Sequence, residues 1–525
     1  MKQNILIAAL LISTLSFAQK KKPDNWQTLD PTVDNVYGTG AEEAYKTLKD
    51  KKSKTVIVAV IDSGVDPNHE DLNDVIWTNP KEIADNGIDE DHNGYIDDVH
   101  GWNFIGGKNG EIDHEASELA RIYQRGNRKF SKLDTTKLTG DDVKQFDEFK
   151  KTRTAFLKEQ TESEEQLKQI QYFLDFMESV KKQNNGVLDK AAFKKYVAKD
   201  KKEKKLAKRI AAVITLGLIK AEELETQIKE GLDQISNSVK YNKMNADSIR
   251  TYLVGDDIDN VNERYYGNNH YQGPDALHGT HVSGIIAAIR NNSKGINGIA
   301  NDVKIMIVRA VPDGDERDKD IANGIRYAVD NGATVINMSF GKYYSPDKKA
   351  VDEAVKYAES KDVLLVHACG NESKNNDVEI SFPSRHYLSG EMATNWLSVG
   401  ASSAESGKSM IASFSNYGSK EVDFFAPGVD IYSTIPDNKY ISESGTSMAS
   451  PSAAGTAAII REYFPELKAS EVRNVLMKTV TPYSGKVIVP GTKKTKKKMN
   501  EISISGGFIN ANNAAMELMG LNKKK

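Results

Sequence analysis

Residues 55–62 read Thr55-Val-Ile-Val-Ala-Val-Ile61-Asp62, and this run decides the fold. β-branched residues dominate it and suit an extended, pleated backbone. No polar side chain interrupts positions 56–61, so a strand here is apolar on both faces. That pattern belongs to a parallel sheet covered by helices on each side. Similar runs recur at 303–308, 334–338 and 363–368, and helical patterns lie at 279–290, 318–330 and 348–360. Strands alternating with helices predict an α/β protein, a three-layer α/β/α sandwich with a mostly parallel central sheet. Ligands of such folds gather at the carboxyl ends of strands, where Asp62 stands.

Outward from this core the character changes. Residues 107–261 are rich in Lys and Glu and contain no Pro. Leu167, Ile170, Leu174 and Met177 fall at three- and four-residue spacing, and Leu206, Ile210 and Val213 continue the theme. Such spacing gives one apolar stripe per helix, so this region reads as an α-helical subdomain inserted into the α/β domain, which then occupies 24–106 and 262–520. The insertion is also a candidate partner surface. The Lys run at 493–498 carries no acids and reads as a flexible loop.

The chain has 525 residues, of which 39% are hydrophobic, enough to close a core of more than one average domain. Basic and acidic side chains, 71 and 74, nearly cancel to a net charge of -3. Such a balance argues against a nucleic-acid partner. Residues 1–18 carry a positive start, an apolar stretch from Ile5 to Leu15 and a Ser16-Phe17-Ala18 cleavage pattern. They read as a signal peptide too short for a transmembrane anchor, which predicts an exported protein, periplasmic, cell-surface or secreted. Cys369 is the sole cysteine, so an internal disulfide is impossible.

Four short segments carry chemistry. Asp62-Ser63-Gly64 ends the first strand. His278-Gly279-Thr280-His281 opens a helix, with small residues that allow close packing behind the imidazole. Gly370-Asn371 follows the strand at 363–368, and Gly445-Thr446-Ser447-Met448-Ala449 opens a helix of small residues. Serine-based acyl transfer needs a nucleophile, a base, a carboxylate to orient the base, and donors for the oxyanion. The four segments offer one of each. The His278/His281 spacing of three, with Gly279 between, does not match the two-histidine zinc helix, and His281 reads as a packed helix residue.

Together these segments resemble the Asp, His, Asn and Ser signatures of the subtilisin-like serine peptidases, in that family's chain order. The resemblance extends to Ile336-Asn-Met-Ser-Phe-Gly341, Phe414-Ser-Asn416 and Phe425-Ala-Pro-Gly428. It implies a subtilisin-like fold and an endopeptidase acting on proteins or peptides. Asp62 would orient His278, His278 would act as base and then acid, Ser447 would attack, and Asn371 would help form the oxyanion hole. It further implies that Ser339, Phe340, Gly341, Ala368, Cys369 and Gly370 flank the substrate and shape its primary pocket, with Cys369 a small hydrophobe in the wall. The family commonly carries an N-terminal prodomain, for which residues 18–55 leave no space.

The loop from Asp85 to Asp98 sets oxygen-bearing side chains at alternate positions: Asp89, Asp91 and Asn93, then Asp97 and Asp98. Gly94 permits a sharp bend. This matches the first half of a Ca²⁺ loop, although position twelve from Asp89 is His100 where the bidentate Glu would stand. Structural Ca²⁺ is the expected ion, with Asp256 and Asp257 as possible neighbours.

Overall fold

The computed structural model describes residues 25–215 and 221–521; the expected signal segment 1–18 lies outside the described residues. The chain divides into two compact units, Leu119–Ala246 and Pro23–Glu118 with Asp247–Lys525.

The larger unit is built on a nine-stranded sheet. Its strands are β1 (Val56–Asp62), β2 (Gly101–Asn103), β3 (Val303–Arg309), β4 (Val335–Met338), β5 (Leu364–Ala368), β6 (Trp396–Ser402), β7 (Phe424–Pro427), β8 (Thr481–Pro482) and β9 (Gly507–Phe508). Their order across the sheet is β8-β9-β7-β6-β5-β4-β1-β3-β2. All neighbouring pairs run parallel except β8 with β9.

Alternation along β1 shows how the apolar run is used. Val56, Val58 and Val60 join one hydrophobic cluster with the helices Leu277–Ala287 and Thr446–Tyr463. Ala59 and Ile61 point the other way, into a cluster with the helices Asp318–Asp330 and Lys348–Ser360. β3 divides in the same manner, Ile305 and Ile307 against Met306 and Val308. Both faces of the sheet are thus core, which is the expected three-layer architecture. Burying each such Val or Ile contributes about 1.5–3 kcal/mol.

The smaller unit is helical. Its longest helix, Asp141–Gln183, turns Phe173, Phe176, Met177 and Val180 toward Phe193, Ile210, Val213 and Leu224. Tyr123, Phe130, Phe149 and Phe156 form a second, stacked aromatic group.

The helical unit is narrower than the expected insertion 107–261. Ile112 and Val254 are buried in the sheet unit's core. Arg250, 1% exposed, bonds Asp256 through Nε at 2.9 Å and Asp320 through Nη1 at 2.7 Å. Tyr266 donates to Asp320 at 2.6 Å, and Lys319 reaches Asp256 at 2.8 Å. Buried charge holds only when paired in this way. These residues are polar in sequence, so hydropathy alone could not assign them to the core. Asp256 is therefore committed to this network rather than to the acidic loop. The Lys run also departs from the loop reading. Lys496–Lys498 pairs antiparallel with Lys486–Ile488, because Val487 and Val489 are drawn into a small core with Met499 and Phe508.

Candidate active site

Asp62 closes β1 and is 2% exposed. Its Oδ1 accepts from the Ser63 backbone N–H at 2.8 Å and from His278 Nδ1 at 2.7 Å. Its Oδ2 is buried with no hydrogen-bond partner among the described residues. Because a carboxylate accepts, the His278 proton sits on Nδ1 and Nε2 is left as the basic nitrogen.

His278 lies in the first turn of Leu277–Ala287. The glycine after it is a packing requirement: a β-carbon on Gly279 would fall 2.1 Å from the Gly64 carbonyl oxygen and 3.2 Å from the Asp62 β-carbon. Only glycine lets this helix abut the end of β1 closely enough for the ring to meet Asp62. Desolvation presses the His278 pKa down. The charge and hydrogen bond of Asp62 outweigh it, and the net is above an ordinary imidazole. His281, one turn on, is buried, holds the Ile441 carbonyl at 3.2 Å, and is pushed down by desolvation to about 4. It packs, as expected.

Ser447 occupies the first turn of Thr446–Tyr463. Its Oγ donates to the Ser339 carbonyl at 3.2 Å, and Ser339 Oγ donates back to the Ser447 carbonyl at 3.0 Å. Asn371 is fixed by its oxygen, which accepts from Thr446 N at 2.8 Å and Thr446 Oγ1 at 2.9 Å. That leaves Nδ2 pointing away. A β-carbon built on Gly445 would stand 3.6 Å from both Asn371 Nδ2 and the Ser447 backbone nitrogen. Two donors therefore border one spot beside the Ser447 helix terminus, where the helix dipole also favours negative charge.

The residues expected to flank the substrate sit at the carboxyl ends of adjacent strands. Ser339, Phe340 and Gly341 follow β4; Ala368 ends β5 and Cys369 and Gly370 follow it; β4 and β5 pair from Val335↔Leu364 to Met338↔His367. Cys369 is buried, and desolvation raises its thiol to about 12, so it stays protonated and inert. Its Sγ lies 3.2 Å from the Asn416 carbonyl. Thr446, which no sequence argument singled out, links Asn371 to Gly370, whose N–H reaches Thr446 Oγ1 at 3.2 Å. Its place inside the Gly445–Ser447 motif was the only available signal.

The profile of the Subtilase family matches residues 53–506. The chain belongs to the subtilase family. Among its relatives, Subtilisin DY of Bacillus licheniformis is 39% identical over 206 residues, 39% of this chain and 70% of the relative. Subtilisin Savinase of Lederbergia lenta is likewise 39% identical, with the same coverage. The Thermophilic serine proteinase of Bacillus sp. strain AK1 is 42% identical over 209 residues, 40% of this chain and 48% of the relative. This subtilase is a serine-type endopeptidase, a hydrolase.

In the acidic loop of the subtilase the carboxylates accept local N–H groups, Asp89 from Asn93 and Gly94 and Glu82 from Glu90 and Asp91. The carboxylates of Asp89 and Asp91 meet that of Glu82 with oxygens within 4.8 Å of one another. Asn93, Asp97 and Asp98 are likewise engaged within the protein. Asn93 donates to Asp98 at 3.1 Å, and Asp97 accepts from the Asn86 and Gly87 N–H groups. Asp98 is fully buried, accepts from Tyr327 at 2.7 Å and Asn79 at 2.9 Å, and is raised by desolvation to about 6. Glu82, missed in sequence because it precedes the alternating run, is the third member of the converging set. Among the described residues no helix is long and apolar enough to cross a membrane.

Proposed function

We propose that Asp62, His278 and Ser447 form the relay by which this endopeptidase cleaves protein substrates through an acyl-enzyme. The 2.7 Å bond between His278 and Asp62 carries the reading, because it sets the tautomer that leaves Nε2 free to accept a proton. Rotation of the Ser447 side chain off the Ser339 carbonyl turns its hydroxyl toward that nitrogen. Nε2 takes the proton as Oγ attacks the scissile carbonyl carbon. The oxyanion is stabilised by Asn371 Nδ2 and the Ser447 N–H. His278 then passes the proton to the departing amine, leaving an ester on Ser447, and water repeats the sequence in reverse to free the acid. The substrate chain runs between 339–341 and 368–370.

The signal-like start supports action outside the cytoplasm. Oxygen donors that converge without nitrogen or sulfur suit Ca²⁺. Glu82, Asp89 and Asp91 would hold it, with Asn93, Asp97 and Asp98 bracing the loop, and its charge would offset their repulsion. A fluorophosphonate probe should label the wild-type protein and fail to label Ser447→Ala. Equal labelling of the two would end the proposal.

A further inference from the structure

Asn376 Oδ1, Ser384 Oγ and Arg385 Nε are buried side-chain atoms without a hydrogen-bond partner among the described residues, and their residues line one cavity. The parent residues are 6%, 9% and 5% exposed. Natural proteins leave few such atoms unsatisfied, and three of them on residues that line a single space point to a group that arrives from outside the chain. The cavity, of about 20 Å³, is also walled by His367, Cys369 and Ser381. A water needs about 10–15 Å³ by this kind of measure, so the space admits one small polar group.

Its walls are tied to both substrate-flanking edges. Asn376 Nδ2 donates to the Cys369 carbonyl at 2.8 Å, and the His367 ring bonds the Phe340 carbonyl at 2.8 Å. A β-carbon on Gly341 would lie 2.8 Å from Ser381 Oγ and 3.5 Å from His367 Nε2. Resting on the peptidase reading above, we propose that this cavity is the floor of the primary pocket. It receives the tip of a small, uncharged, hydrogen-bonding side chain, a hydroxyl or a carboxamide.

Size follows from Ser381 and His367, which narrow the space behind Gly341 against a ring; an aliphatic chain of carboxamide size is disfavoured because it leaves the buried polar atoms unpaired. Neutrality follows from the charges already in place. Arg385 gives both terminal nitrogens to Asp423, at 3.2 and 2.5 Å, and Arg473 adds a bond to the same carboxylate at 2.8 Å. Glu421, paired with His386 at 2.7 Å, stands at the wall. An incoming carboxylate meets Glu421 and an arginine whose charge is committed; an incoming ammonium meets the Arg385 N–H. His367 is held neutral by desolvation, at about 4. The remaining offer is one N–H donor, serine hydroxyls and an amide oxygen.

The test is cleavage-site profiling of the full protein on a peptide library. Wild type should cleave after Ser, Thr or Asn with kcat/KM at least about tenfold above Phe or Leu, since a site built for hydrogen bonds rejects analogues that lack them. Ser384→Ala, whose fold is checked by thermal unfolding, should reduce the Ser-over-Ala cleavage ratio about tenfold. Ser381→Gly should raise the share of Leu. A wild-type preference for Phe or Leu overturns the proposal. So does an unchanged ratio in folded Ser384→Ala, which would assign the cavity to an internal water. Fluorophosphonate labelling separates the two readings: labelled protein that cleaves after apolar residues sinks only the pocket assignment, whereas protein that neither labels nor cleaves sinks the peptidase mechanism with it.

Discussion

Two carboxylate-bearing regions of the larger unit use their oxygens in opposite ways. Asp62 spends one oxygen on a ring 216 positions away in sequence and keeps the other buried and bare. In the acidic loop, Asp89 accepts from Asn93 N at 3.0 Å and Gly94 N at 2.8 Å, and Asp97 from donors ten and eleven positions back. The loop carboxylates mostly fold their own neighbourhood. On the proposed mechanism the difference separates chemistry from scaffolding: a carboxylate that orients a distant base would have catalytic leverage, while one such as Asp97, saturated by N–H groups of its own loop, shapes backbone.

The contrast breaks first at the serine. Ser447→Ala should lower kcat about 10⁶-fold and Asp62→Ala about 10⁴-fold, sizes carried over from subtilisin and measurable by single-turnover kinetics. No comparable loss is expected from Asp97→Asn, which should act on stability alone. Equal losses at Asp62 and Asp97 would erase the distinction drawn above. Asn371→Ala should lower kcat by about 10²–10³, again on the precedent of subtilisin, with KM little changed. A parallel rise in KM would instead make Asn371 a ground-state contact.

The acidic loop offers the next effect. With Ca²⁺ at about 100 times Kd, linkage adds about 2.7 kcal/mol to stability, so chelation should lower Tm, and Glu82→Gln should abolish that shift. An unaltered Tm on chelation removes the ion assignment. The smallest effect is a displacement in pH. Protonated His278 cannot act as base, so kcat/KM should rise with pH through an apparent pKa above the 6.5 of an ordinary imidazole. Asp62→Asn removes the charge that raises it, and the midpoint should move down. For stability the sign is reversed: the raised pKa favours the fold below the imidazole's unfolded value, and that support fades as pH climbs past the folded one.

Much of this was legible before any coordinates. β1 is apolar at every position from Val56 to Ile61 because both its faces are buried, and hydropathy reports burial directly. The four motifs were readable because small residues crowd around them for steric reasons, as Gly279 does against Gly64. The expected insertion 107–261 was drawn too wide at Arg250 and Asp256, since a paired charge in a core looks identical in sequence to a solvated one. Thr446 and Glu82 escaped notice because their partners are defined by contact rather than spacing.

Sequence alone determined the layer architecture and the candidate nucleophile, base and orienting acid, since hydrophobic period and residue chemistry are local properties. The tertiary structure decided which carboxylates converge, which way the Asn371 amide points, and that Asn376, Ser384 and Arg385, each with an unsatisfied atom among the described residues, line one cavity. Those outcomes depend on chain segments far apart in sequence being held to within a few tenths of an ångström. Only the packing of the whole sheet against its helices imposes distances of that kind.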